Sequence, residues 1–173
     1  MNYKIMIKEC TMDKIEFDII GKIHSPFNEL EGMPIQPIGA SGIKGEIHLN
    51  ENLVDGLKDL DGFSHLTLIY YLHKVYGYSL EVKPFLDNKH HGVFATRSPK
   101  RPNHIGISVV KLDSIEDNII HISNIDVLNE TPLLDIKPYV PQLYEATCKD
   151  LKIGWFEEKH ENAKNAKADK RFY

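Results

Sequence analysis

Along most of this chain the apolar residues recur with the period of a strand. Over 15–19, Ile15, Phe17 and Ile19 alternate with Glu16 and Asp18, which predicts one buried and one solvated face. Gly21 and Ile23 carry the pattern through a bulge to Ser25 and Pro26, where a strand must end. A strand is expected over 45–49, and a nearly all-apolar, hence central, one over 65–73. Segment 79–83 alternates again, and 92–96 is short and apolar. Runs 107–115 and 119–125 flank Glu116, Asp117 and Asn118, a hairpin signal. Strands at this spacing predict an all-β or mainly β fold, a single closed or partly open β-barrel.

Helix is scarce. Residues 52–60 allow two short turns. Segment 156–170 is the best helix candidate, but it is polar and has little apolar face, so it should pack weakly, with Trp155 as its anchor. Segments 26–42 and 98–106 have no period and read as long loops, which in a compact domain often carry function. The expected organisation is one barrel domain over 14–150 and a C-terminal helical extension over 151–173 that is no independent domain.

With 173 residues, 42% of them hydrophobic, the chain can build one real core. No apolar run approaches bilayer length, which predicts no membrane partner, and the N-terminus lacks a signal-peptide pattern. Cys10 and Cys148 form neither a disulfide framework nor a metal knuckle, and a cytoplasmic location is expected. The net charge of −4 argues against a general nucleic-acid coat, but its distribution does not. Window 88–112 holds five basic residues and no acid, so the rest of the chain carries −9. A basic island on an acidic body suits a local anionic partner.

Several familiar chemistries are missing. There is no GxGxxG, Walker loop, GxSxG or HExxH, and Gly39, Gly42 and Gly45 have the wrong spacing for a dinucleotide turn. The adjacent His90 and His91 would point to opposite faces of a strand, so no metal is expected. What stands out is the run from Gly92 to Leu112, GVFATRSPKRPNHIGISVVKL. It reads as a strand, a basic loop stiffened by Pro99 and Pro102, and a second strand. Arg97 and Arg101 present planar donor forks suited to carboxylate or phosphate.

The segment ATRSPKRPNHIG resembles the signature of the TsaA/TrmO family. Three further blocks, GKIHSPF from Gly21, LDGFSHLTLIYYLH from Leu60 and DVLNETPLLDIKPYVP from Asp126, resemble the family's other segments in family order, and the tail from Gly154 resembles that of short members. His104 stands where the family usually has proline. The resemblance implies a single β-barrel, a homodimer and an S-adenosyl-L-methionine-dependent tRNA methyltransferase. The expected reaction is N6-methylation of threonylcarbamoyl-adenosine beside the anticodon.

Carried over by position, the resemblance implies a methyl-donor site of Gln36, Pro37, Ile38, His73, Lys74, Arg97, Ile107, Ser123, Asn124, Ile125 and Asp126. Arg97 and Lys74 would meet the donor's carboxylate, Asp126 its ribose or amino group, and Ile38 and Ile107 its adenine. The acceptor nitrogen must shed a proton, and Asp126, Asp135 and His73 are the candidate bases, with Tyr139 as an orienting hydroxyl. Lys89, Lys100, Arg101, Asn103 and Lys137 are the candidate RNA contacts. Asp135 and Lys137 also fit a plain ion pair, and Ile107 fits plain core packing. Two other readings stay open: a non-catalytic RNA- or nucleotide-binding barrel, and a methyltransferase acting on a different acceptor.

Overall fold

Six antiparallel strands close on themselves in the order β1-β2-β7-β6-β3-β8. They are β1 (Gly21–His24), β2 (Lys44–Leu49), β3 (His65–Tyr71), β6 (Ile105–Glu116), β7 (Ile119–Ser123) and β8 (Thr131–Pro138). Two two-residue strands, β4 (Glu81–Val82) and β5 (His91–Gly92), pair outside the barrel. The computed structural model describes residues 14–145, 152–157 and 159–169. Cys10 and Cys148 lie outside the described residues.

The inward positions explain the core. Ile23, Ile47, Leu66, Leu68, Val110, Ile120, Ile122 and Leu133 are fully buried and interlock inside the barrel. Alternation puts their strand neighbours outside, as on β3, where Leu66, Leu68 and Tyr70 are buried between half-buried residues. The hairpin joining β6 to β7 turns at Asp117, whose φ of 52° is one that Asp tolerates better than most residues. Bulges interrupt the register at Ile69/Tyr70 on the β3–β8 pair and at Leu112/Ser114 on the β6–β7 pair.

Four expectations need correction. The alternation over 15–19 is no strand: Ile15, Phe17 and Ile19 are exposed and pair with nothing in the sheet, and regular structure begins only at Gly21. Segments 79–83 and 92–96 shrink to β4 and β5, because Val93–Ala95 winds into a 3-10 turn. β8, hidden by Pro132, Pro138 and its charges, is a full barrel strand. The C-terminal tail is helical only in 3-10 turns at Gly154–Phe156 and His160–Lys164.

That tail also packs more firmly than its polarity suggests. Ala163 is buried, Lys167 bridges to Pro34, and Ala168 exchanges backbone hydrogen bonds with Gly32 and Met33 at 2.9 and 2.8 Å. Lys159 is ion-paired with the nearly buried Asp87, which His91 also contacts. These direct contacts hold the Asp87 carboxyl far below the usual carboxylate range. Trp155 is the anchor: its indole stacks on His91 at 4.6 Å and donates to the Ala95 carbonyl at 2.7 Å.

Candidate functional site

At one end of the barrel, where β3 leaves and β6 and β8 enter, lies a cavity of about 720 Å³. Its size falls in the range of small-molecule sites. The barrel supplies the floor and the long loops supply the walls. Gln36 and Met33 come from the first loop, His73 and Lys74 from the chain after β3, and Asp126 from the chain after β7. Phe85, Trp155 and Phe156 form an apolar side, the last two from the docked tail.

The loop between β5 and β6 is held in shape by its own side chains. Buried Thr96 donates its hydroxyl to the Val93 carbonyl at 2.9 Å and accepts from the Ser98 amide at 3.2 Å. Arg101 donates to the carbonyls of Val93 and Thr96 at 3.2 and 2.8 Å, and its guanidinium lies over the Phe94 ring. Arg101 is therefore a pin of this loop, with its Nη1 engaged by two backbone carbonyls. Arg97 is different. It is exposed on the cavity wall and gives one donor to Gln36 Oε1 at 2.7 Å.

The floor carries a chain of hydroxyls ending in a carboxylate. Ser108 Oγ donates to Asp126 Oδ1 at 2.6 Å, and Tyr70 OH lies 3.0 Å from the same Ser108 oxygen. A serine hydroxyl has one proton, so once it donates to Asp126 the Tyr70 hydroxyl must donate to Ser108. Register creates this arrangement. Tyr70 sits opposite Gly106 across the β3–β6 pair, and a Cβ at Gly106 would lie 2.1 Å from the Tyr70 ring. Only glycine lets that ring cover the strand.

Asp126 is the one carboxylate on the cavity wall among the described residues. Burial pushes its pKa up to about 6, while the Ser108 hydrogen bond and the positive charge of Arg97 act in the opposite direction. Burial, reinforced by the Asp126 charge, also raises the Tyr70 hydroxyl, keeping it protonated. His73 lies 3.3 Å from the buried Thr131 hydroxyl. Burial and then the neighbouring Lys74 lower its pKa, so it is neutral at pH 7.

The cavity thus gathers Gln36, His73, Lys74, Arg97, Arg101, Asn103, Ile107 and Asp126 from the residues named on sequence grounds. Ile107 is half exposed and lines the cavity, so the alternative of plain core packing does not describe it. The others lie elsewhere. Pro37 and Ile38 form the turn after Gln36, with Ile38 exposed. Ser123 donates to Asp113, Ile125 is core, and the Asn124 side chain accepts from the Gly42 amide at 2.9 Å. Asp135, a candidate base, and Lys137, a candidate RNA contact, pair at 2.7 Å on β8, as in their alternative reading, and Tyr139 lies beyond the end of that strand. Lys89 sits in the Asp87 turn, and Lys100 Nζ donates to the Tyr76 carbonyl at 3.0 Å. None of these ten residues lines the cavity.

Sequence reasoning gave no site role to Tyr70, Gly106, Ser108 and Thr131: Tyr70 and Ser108 sit in stretches read as strand, Gly106 ends a stretch read as loop, and Thr131 falls where no element was expected. It also missed the apolar side formed by Met33, Phe85 and Phe156. Among the described residues no group of three side chains is placed to hold a metal, and no helix is long and apolar enough to cross a membrane.

Residues 22–144 match the family described as the tRNA-methyltransferase O N-terminal domain. A probable S-adenosyl-L-methionine-binding protein of Pyrococcus abyssi is 46% identical over 154 residues, which cover 89% of this chain and 83% of that protein. The tRNA (adenine(37)-N6)-methyltransferase of Escherichia coli is 37% identical over 140 residues, covering 75% of this chain and 60% of the enzyme. A crystal structure of TrmO from Pseudomonas aeruginosa superposes with a TM-score of 0.66 at 36% identity, covering 82% of this chain and 62% of that one. The chain therefore spans less than two thirds of these last two relatives.

Proposed function

Because the chain belongs to the tRNA-methyltransferase O N-terminal-domain family, we propose that it methylates N6 of threonylcarbamoyl-adenosine beside the tRNA anticodon, using S-adenosyl-L-methionine. The observation that carries this reading is one cavity holding an exposed guanidinium, a half-buried carboxylate raised to about 6 and a broad apolar side. These residues fit the donor's chemistry: cations for its carboxylate, apolar wall for its adenine. Arg97, held by Gln36, and the exposed Lys74 are the groups for that carboxylate. The reading includes a homodimeric assembly acting in the cytoplasm.

When bound, the donor supplies a methyl carbon whose bond to the sulfonium sulfur breaks as its bond to the acceptor nitrogen forms. The chain's residues align the partners and remove the acceptor's proton. Asp126 is assigned that proton. With a pKa of about 6 it is mostly ionised at pH 7, yet more basic than an ordinary carboxylate. Tyr70 and Ser108 hold the carboxylate and are positioning residues. His73, neutral and beside Thr131, is the second candidate base.

The test is methyl transfer from S-adenosyl-L-methionine to tRNA carrying unmethylated threonylcarbamoyl-adenosine, read by mass spectrometry of the nucleosides. A product heavier by one methyl group on that nucleoside is expected. Donor binding without product on any tRNA would contradict the reading and favour a binding barrel.

A further inference from the structure

Beside the cavity, on the other side of the signature loop, lies a second and more open groove of about 410 Å³. Tyr76 and Tyr78 rise from it with 81% and 62% of their surface exposed. Lys83, His90 and Lys100 share its lining, against the single carboxylate of Glu81. Large aromatic rings this exposed forfeit the burial they would gain in a core, so their position needs a reason.

The backbone under these rings is fixed. Lys100 Nζ donates to the Tyr76 carbonyl at 3.0 Å, and His104 Nε2 donates to the Gly77 carbonyl at 2.8 Å. The Ser79 amide donates to the Lys100 carbonyl at 3.2 Å. Gly77, with a φ of 62°, makes the turn between the two tyrosines. The rings are therefore presented on a loop stapled to the signature segment. That segment is also the partition between the two openings: Pro99 and Arg101 line the cavity, and Lys100 between them lines the groove.

We propose that Tyr76 and Tyr78, with Lys100 and Lys83, form a docking groove for unpaired RNA bases flanking the nucleotide that enters the cavity. Exposed aromatic faces interleaved with cations are what single-stranded nucleic acid requires: rings stack on bases and cations meet the phosphates between them. Stacking is tolerant of base identity, so the groove positions the loop and leaves recognition of the modified adenosine to the cavity. The inference rests on the tRNA reading above and names the face that the acceptor would approach.

The experiment compares the wild-type protein with the double variants Tyr76→Ala/Tyr78→Ala and Tyr76→Phe/Tyr78→Phe. Affinity is measured for an anticodon stem-loop RNA and for a blunt RNA duplex, alongside S-adenosyl-L-methionine affinity and methyl transfer to tRNA. The alanine pair is expected to weaken stem-loop binding about ten-fold or more. The phenylalanine pair should keep it, and duplex and donor affinities should not change. Unchanged stem-loop affinity in the alanine pair, or an equal loss on duplex, overturns the groove. If that happens while wild-type protein still methylates tRNA, the functional reading stands alone. A stem-loop effect without any methyl transfer leaves the groove standing and overturns the reaction. No RNA binding by the wild type overturns both.

Discussion

Two aspartates, each taking a hydrogen bond from a buried serine, end up with opposite chemistry. Asp113 is the extra residue of the bulge between β6 and β7, and it accepts from Ser123. It also accepts from two ammonium groups, Lys44 and Lys111, at 2.8 and 2.9 Å. Those contacts hold its carboxyl far below the usual range, led by Lys44 and then Ser123. Asp126 has the same kind of partner in Ser108 but no ammonium or guanidinium within ion-pair reach among the described residues. Burial therefore wins, and its pKa rises to about 6. The serine does not decide the outcome; a direct cation does. On the barrel wall the carboxylate is locked as an anion, and at the cavity it stays able to exchange a proton near neutral pH.

The largest effect should come from Asp126→Asn. Single-turnover methyl transfer should fall by about 10²–10⁴-fold, the usual worth of a positioned base, with donor affinity little changed. Asp113→Asn should leave that rate near wild type. Equal losses in both variants would erase the distinction between the two sites. An equal loss of donor affinity in Asp126→Asn would make Asp126 a donor-binding group instead.

Arg97→Ala sharpens the comparison, since Arg97 is the cation that acts on Asp126 from a distance. Donor binding measured by calorimetry should weaken about 10- to 100-fold, the scale of one charge-assisted hydrogen bond. The acid limb of the rate profile should move to higher pH, because an attraction favouring the ionised form is lost. Lys44→Ala should move neither.

Stability should show the two signs directly. Asp126 titrates higher folded than unfolded, so its ionisation opposes folding as pH rises from about 4 to 6. Asp126→Asn should therefore gain about 1–3 kcal/mol in denaturant unfolding at pH 7.5 and almost nothing at pH 4. Asp113 titrates lower folded than unfolded, so its contribution is present at neutral pH and is lost as pH falls through the acid range. Asp113→Ala should cost about 1–2 kcal/mol at pH 7.5, chiefly by leaving the buried Ser123 hydroxyl without its acceptor. A gain in stability from Asp113→Ala would break the account.

The barrel was largely legible where one strand face is buried along its length. β2, β3, β6 and β7 announce themselves through Ile47, Leu66, Leu68, Val110, Ile120 and Ile122. β8 was not, because its bulge beside Leu133 breaks the alternation and its prolines resemble loop punctuation. The alternation of Ile15, Phe17 and Ile19 misled because period two describes a strand's faces without supplying a neighbour to pair with. At the site, Arg97, His73 and Asp126 were legible through resemblance. Tyr70, Ser108 and Gly106 were not: their contact exists only in the cross-strand register that puts Tyr70 opposite Gly106. The docked tail stayed hidden for a similar reason, since Asp87 and Lys159 are far apart in sequence and neither forms a motif.

The central claim is that ionisation of Asp126 governs transfer. It is tested most directly by the pH dependence of single-turnover methyl transfer to tRNA, at saturating donor, in the wild type and in Asp126→Asn. The account predicts a wild-type rate that falls about ten-fold per pH unit below an inflection near 6, and a slow Asp126→Asn rate with no such limb. An acid limb that persists unchanged in Asp126→Asn would contradict it and assign the proton to another group.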